Sequence, residues 1–280
     1  MIRNYSPSDS NEINELFAAI DTGYEIDSAE GIEKNAGKFI LYEEDGIKGA
    51  AYAALSVNEV GEKQADLKIY VEPSSRKRGI GTELFHELSA YAEKEKQEVL
   101  IASFRTDKMN PAGFCVKNGM EKWWGSPSLV YKGPLFPDPQ TQFELYDDKL
   151  FQQFVNIVQE CYYPLHKEID LKPYLASSES VRAYQLKDPE NVYVAMYGEE
   201  IMASVSIGRG EVDNLMVSPR FQKRGLGREA LHFAMNRLLN SGYEEIHICY
   251  MENNKAAENL YYTAGFMMAE NMDVYRKYIV

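Results

Sequence analysis

Apolar positions along the chain alternate between helical and strand spacing, and the same succession of rhythms runs twice. Behind Ser8 and Asp9, which suit an N-cap, Ile13, Leu16, Phe17 and Ile20 recur at helical spacing and predict a buried stripe. Residues 38–42 and 47–55 read as two strands joined at Glu44-Asp45-Gly46, a hairpin signal. Residues 67–71 predict another strand, 79–94 a helix with Leu84, Phe85, Leu88 and Tyr91 inward, and 99–104 a short apolar strand. Three prolines between Gly133 and Gln142 then interrupt both rhythms, and the domain boundary is placed there.

The second half starts over. Residues 143–146 suggest a strand, and Leu150, Phe151, Phe154, Ile157, Val158 and Cys161 give a helix stripe. Strands over 192–197 and 201–207 flank Gly198, and 246–250 is another strand. A helix over 254–264 closes at Gly265, and 272–279 is a last strand. The expected architecture is α/β with a mixed sheet, in an N-terminal unit over 1–133, a linker over 134–141 and a C-terminal unit over 142–280.

Each half carries one stretch with chemical character. Val212, Leu215 and Val217 suit a strand, Pro219 stops it, and Gly225 and Gly227 open a helix over Leu231, Ala234, Leu238 and Leu239. Glycine admits a phosphate close to the backbone, and the first amides of the helix point outward without partners, which makes an anion cradle. Lys223 and Arg224 add charge beside it. A tight turn would explain a lone Gly-x-Gly equally well, but the pattern recurs. Val71, Pro73, Lys77, Arg78, Gly79, Gly81 and Glu83 each stand 146 positions before a matching residue.

Val-x-Pro followed by Arg76 or Gln222 at the head of an Arg/Gln-x-x-Gly-x-Gly resembles the acetyl-CoA pyrophosphate motif of the GNAT acetyltransferases. Asn254-Lys-Ala-Ala257-Glu-Asn-Leu260-Tyr261-Tyr-Thr-Ala-Gly265-Phe266 resembles the second signature of that family. The chain therefore resembles two tandem GNAT acyl-CoA N-acyltransferase domains that cover nearly all of it. The resemblance implies acetyl-CoA as cosubstrate, with its pyrophosphate on amides of Gln222, Lys223, Arg224, Gly225, Leu226 and Gly227, and with Asn254 at the same site. It also implies that the Leu215 amide polarises the thioester carbonyl and that Val217 pairs with the pantetheine arm. Both are also explained as plain core residues. In the first half the corresponding residues are Val71, Arg76, Lys77, Arg78, Gly79, Ile80 and Gly81.

Acetyl transfer to an amine poses two proton problems. An alkylamine of pKa about 10.4 is mostly protonated at neutral pH, and a thiolate leaves more easily when protonated. Glu211 stands where a branch of the family carries its general base, and Tyr261 matches the tyrosine that donates to sulfur in many members. A solvated strand residue and a core aromatic are the competing explanations. A shift of 146 sets Ala65 against Glu211, Cys115 against Tyr261, Lys108 against Asn254 and Met120 against Phe266. The N-terminal unit thus reads as degenerate, holding acetyl-CoA or only scaffolding, with Asp66 or Glu72 as substitute bases.

Bulk composition narrows the partners. The 30 basic and 43 acidic residues of the 280 argue against a nucleic-acid surface, and the net charge of −13 describes a solvated acidic surface. No apolar run reaches the length of a membrane span and Met1-Ile-Arg-Asn-Tyr-Ser lacks a secretory core, so a cytoplasmic protein with no membrane partner is expected. Cys115, Cys161 and Cys249 show no disulfide framework and the four histidines no ligand spacing, so no metal is expected. Tyr162, Tyr163, His166, Glu168, Asp170 and Tyr174 either shape an acceptor pocket for a cation or pack and solvate. The expected function is acetyl-CoA-dependent N-acetylation of a primary amine on a small molecule or protein. The alternatives are a non-catalytic acyl-CoA-binding interaction module, or an acyltransferase with a different acyl group or acceptor.

Overall fold

The computed structural model describes residues 1–279. The first repeat runs β1 (Ile2–Asn4), α1 (Ser10–Ala18), α2 (Ala29–Asn35), β2 (Lys38–Glu43), β3 (Ile47–Val57), β4 (Lys63–Val71), α3 (Ile80–Lys94), β5 (Val99–Arg105), α4 (Ala112–Lys117) and β6 (Glu121–Tyr131). The second runs β7 (Glu144–Leu145), α5 (Phe151–Glu168), α6 (Ser178–Tyr184), β8 (Val192–Tyr197), β9 (Glu200–Ile207), β10 (Glu211–Val217), α7 (Leu226–Asn240), β11 (Ile246–Cys249), α8 (Lys255–Thr263) and β12 (Met267–Tyr278).

Long periodic segments lie where the pattern puts them. Ile13, Leu16, Phe17 and Ile20 are buried, as are Leu84, Phe85 and Leu88, whereas Tyr91 is half-buried and donates its hydroxyl to Gly37 O at 2.9 Å. Elements without a strong period are absent from the sequence reading. The short α2 rests on a local device, Ser28 Oγ accepting from Gly31 N at 3.2 Å, rather than on a stripe. Helices α4 and α6 and strand β6 are likewise missing from it, and β4 begins four residues earlier than the apolar run because Lys63 and Gln64 continue the ladder with β3.

Two compact units result: Met1–Gly125 with Asn271 onward, and Ser126–Glu270. In unit 1 the strands lie in the order β1, β2, β3, β4, β5, β12, with β4 and β5 parallel and the other mapped neighbours antiparallel. In unit 2 the order is β6, β11, β10, β9, β8, β7, with β10 and β11 parallel. The proline segment lies inside unit 2, and the partition falls within β6 and β12. Residues Met272–Tyr278 of β12 pair with β5, and Ser128–Tyr131 of β6 pair with β11. Each unit's sheet is thus extended by the last strand of the other repeat.

Candidate active site

In unit 2 the parallel pair of strands opens. Glu211 pairs with His247 and Val212 with Ile248, and beyond them β10 and β11 no longer pair with each other. A bulge lies at the same point. Asp213 faces Ser206 and Met216 faces Ser204, so Asn214 and Leu215 together oppose Val205. Asn214 takes φ +45°, a left-handed conformation that asparagine tolerates better than most residues. The bulge reverses the strand's facing. Val212 and Leu215, three apart, both pack on the core beneath α7, while Met216 packs beneath α5.

Just past β10 the chain makes the glycine turn. Gly225 at φ +87° is the N-cap of α7, and Lys223 is also left-handed at φ +60°. Gln222 Nε2 donates to Val217 O at 3.0 Å and pins the loop to the strand end. Among the described residues, the amides of 223–228 donate to no backbone acceptor, so they form an anion nest at the positive end of a fifteen-residue helix. A Cβ on Gly227 would meet Leu260 at 3.5 Å and Val217 at 3.8 Å, ordinary contacts, so packing does not demand glycine there. A groove of about 790 Å³ runs past this nest. Val217, Gln222, Lys223, Gly225, Leu226, Gly227, Asn254 and Leu215 line it; Arg224 does not, and instead lies over the Phe221 ring at 5.5 Å. Arg228, unremarked in the sequence, lines the groove as well.

The groove meets a cavity of about 170 Å³ at Cys161, Leu165, Leu215, Met216, Asn254 and Tyr261. Tyr261 is 5 % exposed, packs edge-on to Tyr250 at 5.9 Å, and its hydroxyl makes no hydrogen bond among the described residues. Burial holds this phenol protonated well above its ordinary range. The same dry surroundings push the Cys161 thiol up to about 12. The Cys249 thiol is raised by burial and by the charges of Asp213 and Glu211.

Glu211, at the first position of β10, is exposed and does not line the cavity; Asp213, two residues on and on the same strand face, does. Asp213 accepts from Asn214 N at 2.7 Å and from Asn214 Nδ2 at 3.0 Å, and Asn214 Oδ1 accepts from Tyr162 Oη at 3.0 Å. Of the six aromatic, histidine and acidic candidates near the end of α5, only Tyr162 lines the cavity. Tyr174 donates to Asp170, and His166 meets Pro173 O at 3.3 Å. Asn254 has a structural duty as well, its Oδ1 capping α8 by accepting from Ala257 N at 3.1 Å.

Unit 1 repeats the nest and alters the cavity. Gly79 at φ +94°, Lys77 at φ +62° and Arg76 Nε on Val71 O at 3.1 Å reproduce the loop. A groove of about 560 Å³ is lined by Val71, Arg76, Lys77, Gly79, Ile80 and Gly81, whereas Arg78 turns away to Glu44 at 2.7 Å. Strand β4 has no bulge and pairs residue for residue with β3 from Lys63 to Val71. Its facing therefore never reverses: Ala65, Leu67, Ile69 and Val71 all pack beneath α3.

This corrects the alignment of the repeats. Asp66 pairs with Ile101 as Glu211 pairs with His247, so Asp66, and not Ala65, holds the place of Glu211, because the bulge adds one residue to β10. Lys68 then corresponds to Asp213. Cys115 is buried, its thiol pushed up to about 12 by burial.

A parallel strand pair that parts beside an amide nest, with a groove running past both, suits a phosphorylated ligand with an extended arm. The model of the acetyltransferase (GNAT) family matches residues 8–117 and again 151–266, and the chain belongs to that family of N-acetyltransferase enzymes, in tandem form. No curated protein matches the chain. Among solved structures it is similar to a GCN5-related N-acetyltransferase from Sphaerobacter thermophilus, at 18% identity and TM-score 0.69, over 99% of this chain and 95% of that one. It is also similar to a tandem GNAT protein from the clavulanic acid biosynthesis pathway, at 14% identity and TM-score 0.59, over 99% and 98%. A GNAT-family acetyltransferase from Colwellia psychrerythraea aligns at 14% identity and TM-score 0.57 over all of both chains. At these identities the likeness is one of fold. Among the described residues no helix is long and apolar enough to cross a membrane.

Proposed function

We propose that the protein transfers an acetyl group from acetyl-CoA to a primary amine of a small molecule or protein, and that the C-terminal unit performs the reaction. The observation that carries this reading is the meeting of groove and cavity at Tyr261, a buried phenol without a partner, one helix away from the amide nest. In this scheme the pyrophosphate rests on the amides of 223–228, with Lys223 and Arg228 beside it. The thioester carbonyl faces Leu215 in the bulge. The acceptor nitrogen, having given its proton to Glu211 at the exposed start of β10 and so to solvent, attacks the carbonyl carbon. The new C–N bond forms, the C–S bond breaks, Tyr261 protonates the departing sulfur, and the second proton, shed by the nitrogen as the amide forms, returns the Tyr261 phenolate to the phenol through solvent.

The N-terminal unit is assigned a coenzyme-holding or scaffolding role. Two features favour a non-reacting unit there: the unbroken β4 and the buried Cys115 at the place of Tyr261. The test is thiol release from acetyl-CoA against a panel of primary amines, with Glu211→Gln and Tyr261→Phe beside the wild type. Turnover that survives both substitutions unchanged refutes the assigned roles. Tight acetyl-CoA binding with no thiol released for any amine favours the interaction-module reading instead.

A further inference from the structure

We infer that Asp213 receives the acceptor's ammonium, and that the acceptor presents it on an unbranched alkyl stem, as a lysine side chain does. The inference rests on the assignment of the reaction to unit 2.

The two repeats supply an internal comparison. Leu100, Ala102 and Phe104 belong to the core beneath α3 as Ile246, Ile248 and Tyr250 belong to the core beneath α7, so Ser103 corresponds to Cys249. With Asp66 in the place of Glu211 and Lys68 in that of Asp213, the two opened strand pairs can be read side by side. In unit 1 the Lys68 ammonium donates to Ser103 Oγ at 2.6 Å and to Ser103 O at 3.3 Å, and it lies 3.5 Å from Asp66 Oδ1. Unit 1 therefore fills the opening between its parallel strands with an alkylammonium of its own, which lines a cavity of about 90 Å³ together with Ser103.

Unit 2 lacks that lysine. At the same place it carries the opposite charge, held in a fixed direction by Asn214 and through it by Tyr162. None of the residues lining its cavity is basic, and among the described residues neither Asp213 nor Glu211 forms an ion pair. Its cavity is about 170 Å³ and ends at the unpartnered hydroxyl of Tyr261. At about 30 Å³ for each water-sized group, that is room for about half a dozen such groups, an alkylamine end with the acetyl it receives. A site built like unit 1 but with its internal cation replaced by a carboxylate is left with the surroundings of an ammonium and no ammonium.

The experiment is calorimetric titration of n-butylammonium into the full chain saturated with coenzyme A, which forms no product. The wild type should bind it, and should bind tert-butylammonium more weakly. Asp213→Asn should weaken n-butylammonium by about tenfold or more, the loss expected for one charged hydrogen bond, with coenzyme A affinity retained. Asp213→Lys should abolish binding by reproducing unit 1. Tyr162→Phe, which leaves the charge in place, should weaken it less than Asp213→Asn. Retained coenzyme A affinity reports folding in each variant. Equal binding by wild type and Asp213→Asn, or no binding by the wild type, overturns the inference. Binding without thiol release when acetyl-CoA replaces coenzyme A leaves the site standing and refutes the transfer reaction.

Discussion

Tyr261 is the residue on which the proton balance of the proposed reaction turns. Its phenol is raised by burial, so it keeps its proton through the whole range in which the enzyme would be assayed. A group whose pKa lies above its ordinary value of about 10 adds no falling limb below that pH. The expected profile of kcat/KM with an alkylamine thus rises continuously from pH 6 to 9.5, following the acceptor's free-base fraction. Tyr261→Phe should lower kcat about a hundredfold with the KM for acetyl-CoA unchanged, the usual scale of a lost general acid. A fall in the wild-type profile between pH 8 and 9.5 would show that another group donates. This tyrosine was legible in the sequence because a signature of thirteen residues surrounds it. Asp213 was not, since a lone aspartate in an exposed strand position carries no period and no motif. Its role is visible only through Asn214 and Tyr162, the latter 51 positions upstream.

At the scale of elements, the turn from β10 into α7 separates two uses of glycine. Gly225 serves the backbone: at φ +87° any side chain is strained, and Gly225→Ala should cost about 1–2 kcal/mol of stability, read as a lowered denaturation midpoint. Gly227, in the proposed reaction, serves the ligand. A methyl group there fits the protein, so Gly227→Ala should leave the midpoint within error while weakening acetyl-CoA about tenfold or more, because the coenzyme's phosphates lose close access to the amides. Equal losses of stability in the two variants would remove the distinction. These turns are local, and local signals survive in sequence. The bulge between Asp213 and Met216 does not. One extra residue in β10 leaves both glycine motifs at their offset of 146 while displacing the start of the strand by one, so that counting along the chain sets Ala65 against Glu211 when hydrogen bonding sets Asp66 there.

For the molecule as a whole, the consequential feature is that each repeat closes the other repeat's sheet. The pattern over 272–279 identifies a strand without naming its neighbour, since a period of two says which face is buried and nothing about the partner edge. A cut at the proline segment follows the repeat but not the packing. The fragment 1–133 lacks Met272–Tyr278, which pairs with β5 from Val99 to Arg105. It also loses Val274 and Tyr275, each 5 % exposed, the latter stacked on Phe104 at 5.3 Å. Burial of two such side chains contributes about 3–6 kcal/mol, comparable with the entire stability of a small domain. The fragment is therefore expected to give no cooperative melt by circular dichroism. Residues 1–125 joined by a flexible linker to 271–280 should recover one, although that chain omits eight residues of the failing fragment. A sharp, reversible transition in 1–133 alone would mean that β12 is dispensable to unit 1, and that sequence repeats and folding units coincide after all.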